Sequence, residues 1–157
     1  MINIIGGKFK RKKIEVYRNN VRPTSAIKRE AIFSVLESYA AKNSFELYSD
    51  KCFLDLFAGS GSLGLEAISR GASYSHFYEI DNNVEKILKK NCEIICTKNQ
   101  YQIFIQDCNL IKQFNLKHPL SVVFIDPPYK IKSFDTILNI LLENNILSKD
   151  TIIVIET

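Results

Sequence analysis

Residues 52–67 read CFLDLFAGSGSLGLEA. An apolar run broken only by Asp55 gives way to three glycines spaced Gly59-x-Gly61-x-x-Gly64, and the chain continues as SLGLEAISRG to Gly71. The apolar run has the composition of a strand buried on both faces, and the second segment reads as a helix that Gly71 ends. Glycines between a strand and a helix allow a tight turn and close approach of backbone to a ligand, and the start of the helix offers unpaired N–H groups.

The same alternation runs on toward the C-terminus. YSHFYEI (74–80) reads as a second strand, NNVEKILKKNCEII (82–95) as a helix capped by Asp81 or Asn82, YQIFIQD (101–107) as a third strand, and NLIKQF (109–114) as a short helix. SVVFID (121–126), SFDTILNILLEN (133–144) and TIIVIE (151–156) add a fourth strand, a helix and a fifth strand. Strict alternation of helices with strands apolar on both faces predicts an α/β fold, a mostly parallel sheet covered by helices on each side. Ligands of such sheets bind beyond the carboxyl ends of the strands, so strand-end residues are the candidates for function.

Ahead of the sheet, INIIGGKFKRKKIEV (2–16) holds two short β-prone runs around Gly6-Gly7 and a basic cluster, which predicts a hairpin. In RPTSAIKREAIFSVLESYAA (22–41) the period changes. Ile27, Ala31, Val35 and Tyr39 recur every fourth residue with Ile32 and Leu36 beside them, which predicts a helix burying that face, capped by Thr24 or Ser25 after Pro23. KNSFELYSDK (42–51) reads as a polar connection. The chain is thus expected to divide into a basic hairpin arm, 1–24, and a sheet domain, 25–157.

At 157 residues, 46% hydrophobic and 24% charged, the chain has the size and composition of one globular domain. No apolar run approaches the roughly 18 residues of a membrane span, and the N-terminal order of apolar and basic residues is wrong for a secretory signal; a cytoplasmic address is expected. Cys52, Cys92, Cys96 and Cys108 have no paired CxxC spacing, so reduced thiols are expected rather than a disulfide framework or a metal site. Residues 1–30 hold nine Lys and Arg against two acids, whereas the rest of the chain holds twelve against fifteen. A basic arm on a mildly acidic body suits a polyanionic partner.

Three acids end successive strands. Glu79 ends the second, 20 residues after Gly59, where a carboxylate can accept hydrogen bonds from ribose hydroxyls. Asp55, four residues before the first glycine, would repel a pyrophosphate and attract a cationic amine. Asp107 ends the third strand, where it could accept from an adenine amino group. Together they suggest one extended ligand with cationic groups and no phosphate, a description that S-adenosyl-L-methionine fits.

The fourth strand ends in Asp126-Pro127-Pro128-Tyr129. Two prolines forbid further ladder bonds and remove two N–H donors. What remains is acceptors, the Asp126 carboxylate and the Pro127 carbonyl, beside the flat face of Tyr129. That inventory suits a planar base with an exocyclic amine, whose two hydrogens need acceptors and whose ring needs a stacking partner. An aromatic amine is a poor nucleophile until its nitrogen pyramidalises, and gripping both N–H groups favours that change. A base inside a helix cannot enter such a pocket, which implies base flipping or a single-stranded target.

DLFAGSGSLG (55–64), YEID (78–81), QDC (106–108) and DPPY (126–129) together resemble the successive motifs of Rossmann-like, class I S-adenosylmethionine-dependent methyltransferases. RPTSAIKREAIFSVL (22–36) and the preceding hairpin resemble, more narrowly, the bacterial 16S rRNA (guanine-N2)-methyltransferase family, the RsmD family. The resemblance implies that Asp55, Gly59, Gly61 and Gly64 line the methionine end of the cofactor, that Glu79 takes the ribose, and that Asp107 and Cys108 lie near the adenine. Asp126, Pro127, Pro128 and Tyr129 would hold the guanine N2. Lys8, Lys10, Arg11, Lys12, Lys13, Arg22 and Thr24 would contact RNA, although for Arg22, Thr24, Arg29 and Glu30 a role in docking the helix beside the cleft is equally open. The implied partner is 16S rRNA in the small ribosomal subunit or its late assembly intermediate, with no metal and no membrane, acted on by a monomer. One departure is that the chain stops at TIIVIET (151–157), where the family continues through another helix and an antiparallel strand pair, so either a truncated sequence or an abbreviated sheet is expected. An adenine-N6 methyltransferase would explain DPPY equally well, and a non-catalytic RNA-binding assembly factor would explain the arm.

Overall fold

A computed structural model describes residues 1–17 and 24–157. In chain order its elements are β1 (Ile2–Asn3), β2 (Lys13–Ile14), α1 (Ala26–Lys42), β3 (Cys52–Asp55), α2 (Ser62–Arg70), β4 (Tyr74–Glu79), α3 (Asn82–Ile95), β5 (Tyr101–Ile105), β6 (Leu120–Ile125), α4 (Asp135–Glu143) and β7 (Ile152–Ile155). Five strands form one sheet in the order β5-β4-β3-β6-β7, and every neighbouring pair is parallel. From β3 the chain steps outward to β4 and β5 and then crosses to β6 on the other side. That reversal opens a crevice beyond the carboxyl ends of β3 and β6.

Alternation along the strands builds two cores. Phe53, Phe77, Val122 and Phe124 point to the face covered by α1, α2 and α3, where they meet Phe33, Leu65 and Leu88. Leu54, Tyr78, Val123 and Ile125 point to the other face and meet Ile137 and Leu141 of α4. Helix ends follow the expected chemistry: the Asp81 side chain accepts from Asn83 and Val84 N–H, and Gly71 closes α2 with φ +120°.

Two expectations need correction. NLIKQF forms no α-helix; Cys108–Leu110 make a single 3₁₀ turn and the chain then reaches β6 without regular structure. Six residues are too few to sustain a helix against the cost of nucleation, and burial of Ile111 and Phe114 is met without one. Helix α1 forms where expected but presents a different face. Ile27, Val35 and Tyr39 are exposed, and the buried stripe is Arg29, Phe33, Leu36 and Ala40. The stripe is disguised in sequence because one of its members is charged.

Arg29 can be buried because its charge is met. Its guanidinium donates to the Thr24 and Asn3 carbonyls at 3.2 and 2.9 Å and lies 3.5 Å from Glu66 of α2. Glu66, fully buried, also accepts from Arg70 Nε at 2.9 Å and from the Ile5 and Gly6 N–H groups at 2.9 and 2.8 Å. This carboxylate therefore joins the hairpin, α1 and α2. The hairpin ladder holds two residue pairs, Ile2 with Ile14 and Asn3 with Lys13, is extended by backbone bonds of Ile4 with Lys12 and Arg11, and buries Ile4 and Ile14 in the α1–α3 core. Its polar edge is exposed while its apolar side is part of the domain interior.

Candidate active site

Beyond the carboxyl ends of the strands lies a cavity of about 290 Å³, bordered by Gly59, Glu79, Asp107, Cys108 and the run Asp126–Tyr129. These residues come from four separate stretches of sequence. The volume is close to the lower end of the roughly 300–1,000 Å³ typical of small-molecule sites. Its described lining holds four acids, Glu79, Asp81, Asp107 and Asp126, and no Lys or Arg.

The glycine turn and the second strand end are tied together. Gly59 N–H donates to Glu79 Oε2 at 2.8 Å, and Glu79 Oε1 accepts from Ile80 and Asp81 N–H, each at 3.1 Å. Gly59 has φ +56°, and the space a side chain would take there is open. Gly61 and Gly64 serve a different purpose. A Cβ on Gly61 would lie 2.6 Å from Leu88 Cδ1, and one on Gly64 would lie 2.3 Å from the Phe77 ring. They let α2 and α3 close on each other and on the sheet, and neither borders the cavity, in contrast to the lining role expected for them.

Asp55 also lies behind the wall. It is 2% exposed, with Oδ1 accepting from Phe57 N–H at 3.3 Å. Burial, reinforced by the nearby Asp126 charge, pushes its carboxyl up to about 8. At neutral pH the group is held largely neutral, so it offers a cationic ligand less charge than the sequence suggested. Asp107 Oδ1 accepts from Asn109 N and Nδ2 at 2.9 and 3.1 Å, and Oδ2 has no protein donor among the described residues. Burial, with the Asp107 charge beside it, pushes the Cys108 thiol up to about 12, which keeps it neutral.

Asp126 sits just past β6 and is partly exposed. Its Oδ2 accepts from Thr24 Oγ1 at 2.7 Å. Burial raises the Asp126 carboxyl; the Thr24 bond and Lys28 oppose that shift, and Glu156 adds to it. Lys28 and Glu156 form an ion pair beside the site. Tyr129 is 63% exposed, its ring edge-on to Phe57 with centroids 6.5 Å apart.

Three features escaped the sequence. Thr24, expected at RNA, beside the cleft or as the α1 cap, donates to Asp126, a partner the sequence did not indicate, while Ser25 caps the helix by accepting from Lys28 N–H. Val16 and Tyr17, just past the hairpin, border the cavity. They are held there by Asn91 of α3, which accepts from Glu15 N–H and donates to the Glu15 and Ser60 carbonyls, each at 2.9 Å. A polar residue on the buried stripe Leu88-Asn91-Cys92-Ile95 was the available signal.

Lys8, Lys10, Arg11, Lys12 and Lys13 are exposed and form no ion pair among the described residues. Arg29, by contrast, is buried in docking α1, and Glu30 pairs with Arg70 at 3.1 Å. Arg22 lies outside the described residues. Among the described residues no group of three or more His, Cys, Asp or Glu could hold a metal, and no helix is long and apolar enough to cross a membrane. All four cysteines are free thiols.

Residues 2–157 match the family described as Conserved hypothetical protein 95. The ribosomal RNA small subunit methyltransferase D of Haemophilus influenzae is 35% identical over 159 residues, covering 99% of this chain and 78% of its own length. The protein of the same name from Buchnera aphidicola subsp. Acyrthosiphon pisum is 38% identical, covering 99% and 77%. Among solved structures, the Escherichia coli candidate methyltransferase yhhF superposes with a TM-score of 0.79 at 30% identity, over 99% of this chain and 80% of that one. With its motifs, its parallel sheet and its strand-end cavity, the chain has the Rossmann-like class I methyltransferase fold and belongs to the Conserved hypothetical protein 95 family, that of the ribosomal RNA small subunit methyltransferase D proteins.

Proposed function

We propose that this protein transfers a methyl group from S-adenosyl-L-methionine to the exocyclic N2 of a guanine in 16S rRNA of the small ribosomal subunit or its late assembly intermediate. The observation that carries the cofactor assignment is the charge of the cavity. Four acids and no described cation line it, which disfavours a pyrophosphate and suits a ligand with a sulfonium and an ammonium. The open space at Gly59 fits a ligand pressed against the turn. Glu79, already held by three backbone N–H groups, has lone pairs left for ribose hydroxyls, and Asp107 Oδ2 is available to an amino group. Bound there, S-adenosyl-L-methionine would supply an electrophilic methyl.

The chain's own contribution lies at Asp126–Tyr129. Asp126 Oδ1 and the Pro127 carbonyl accept the two N–H bonds of the target amine, and Tyr129 stacks on its ring. Gripping the hydrogens biases the nitrogen toward a pyramidal geometry and aims its lone pair. As positive charge develops on nitrogen, the adjacent carboxylate stabilises it and accepts the departing proton directly or through water. Positioning is the larger effect: effective molarities correspond to on the order of 7–11 kcal/mol. The exposed cations of residues 8–13 act as an arm, contributing salt-sensitive phosphate contacts that orient the RNA without reading sequence. The choice of small-subunit rRNA rests on the family and on this basic arm.

The test pairs binding with transfer. S-adenosyl-L-methionine at 100-fold its dissociation constant is expected to stabilise the protein by about 2.7 kcal/mol, and NAD to leave its melting unchanged. Asp126→Ala is expected to keep cofactor affinity and lose methyl transfer. Stabilisation by NAD alone, or wild-type turnover by the variant, would overturn the reading.

A further inference from the structure

We propose that Thr24 is the positioning residue for Asp126, fixing one carboxylate oxygen so that the other alone is presented to the target amine. The inference rests on Asp126 being the acceptor at the reacting nitrogen.

Other aspartates of the chain show why an outside donor is needed. Asp55, Asp81 and Asp107 each accept from the backbone N–H two residues on, at Phe57, Asn83 and Asn109. That local turn fixes a short carboxylate at little cost. Asp126 cannot make it, because Pro127 and Pro128 carry no N–H. The same prolines that strip the site of donors for the sake of the amine leave the carboxylate with nothing local to hold it. Thr24 Oγ1, from a segment 102 residues away, donates to Oδ2 at 2.7 Å.

The hydroxyl is available and is itself held. Ser25 caps α1, so Thr24 is not spent on the helix. The Thr24 carbonyl accepts from Arg29 Nε at 3.2 Å, and Arg29, 1% exposed, is anchored by the Asn3 carbonyl and Glu66. A line of partly buried bonds thus runs from α2 and the hairpin to one oxygen of the catalytic carboxylate. Donation to Oδ2 also favours the ionised form. Facing the same carboxylate are Glu156 beyond β7, which disfavours its ionisation, and Lys28 of α1, which favours it, while Asp55 at the end of β3 is itself raised by the Asp126 charge.

The test measures methyl transfer from labelled S-adenosyl-L-methionine to small ribosomal subunits from cells lacking this protein. Thr24→Val is expected to lower kcat by about 10–100-fold, the scale of a sub-ångström to ångström misplacement. KM for the subunit and affinity for the cofactor are expected to stay within about twofold, and the acidic limb of the kcat–pH profile to move to higher pH. Thr24→Ser, which keeps the donor, is expected to recover most of kcat; Thr24→Ala repeats the loss if valine is not accommodated. A kcat for Thr24→Val within twofold of wild type, a rise in KM alone, or a serine variant as impaired as the valine one would overturn the proposal. Asp126→Ala run in parallel separates the two claims: full activity there defeats the underlying reading, whereas an inactive Asp126→Ala beside a normal Thr24→Val defeats this proposal alone.

Discussion

Replacing Glu66 with glutamine exchanges one carboxylate oxygen for an NH2 group in a site built entirely of donors. Oε1 accepts from Ile5 N–H and faces the Arg29 guanidinium; Oε2 accepts from Gly6 N–H and Arg70 Nε. Whichever oxygen is replaced, one backbone N–H and one arginine lose their acceptor and meet another donor. Leaving a buried neutral donor unpaired costs about 1–3 kcal/mol, and breaking a buried ion pair about 3–5 kcal/mol. The two losses share one site and are not additive, so Glu66→Gln is expected to destabilise by about 3–5 kcal/mol. For a domain of this size that corresponds to roughly 6–20 °C in melting temperature. Urea unfolding followed by circular dichroism reads the midpoint, and amide hydrogen exchange reads the Ile5 and Gly6 N–H groups, which should lose protection. A variant within about 0.5 kcal/mol of wild type, with exchange at those two amides unchanged, would refute the idea that Glu66 fastens the hairpin to α1 and α2.

Two further outcomes follow from the charges. The Asp55 carboxyl, raised in the fold from 3.8 to about 8, gives stability that is complete below the ordinary carboxylate range and is lost as pH rises through about 8. Asp55→Asn keeps the acceptor for Phe57 N–H and is expected to remove that loss, on the order of 5 kcal/mol at the alkaline end; melting curves that fall equally steeply between pH 5 and pH 9 in both proteins would count against it. Replacing Lys10, Arg11 and Lys13 together with alanine is expected to weaken binding to small-subunit RNA and to flatten the log affinity–log salt slope by roughly 0.7–0.9 for each phosphate no longer neutralised, and an unchanged slope would assign these cations to solvent.

Much of this architecture was legible because it is local. Continuous apolar strands alternating with helices announced the parallel sheet, and Glu79, Asp107 and Asp126 were found at strand ends because a strand end is where an apolar run meets an acid. Spacing alone does not say which side of a turn a residue occupies. Asp55, Gly61 and Gly64 belong to the expected strand–turn–helix motif, yet their environment is set by Phe57, Leu88 and Phe77, so they stand behind the cavity. In α1 the period of four was read from Ile27, Val35 and Tyr39, which are exposed. The true stripe includes Arg29, whose burial depends on Glu66, 37 residues on, and no periodicity reports such a partner. The same distance in sequence hid Thr24 from Asp126, since both looked complete within their own motifs.

The central claim is that the acceptors of Asp126–Pro127 hold the N2 of a guanine for methylation. Small ribosomal subunits from cells lacking this protein, incubated with it and labelled S-adenosyl-L-methionine, can be digested to nucleosides and separated. Label is expected in N2-methylguanosine from 16S rRNA. Label in N6-methyladenosine, or none with a protein that binds both the cofactor and the subunit, would contradict the account.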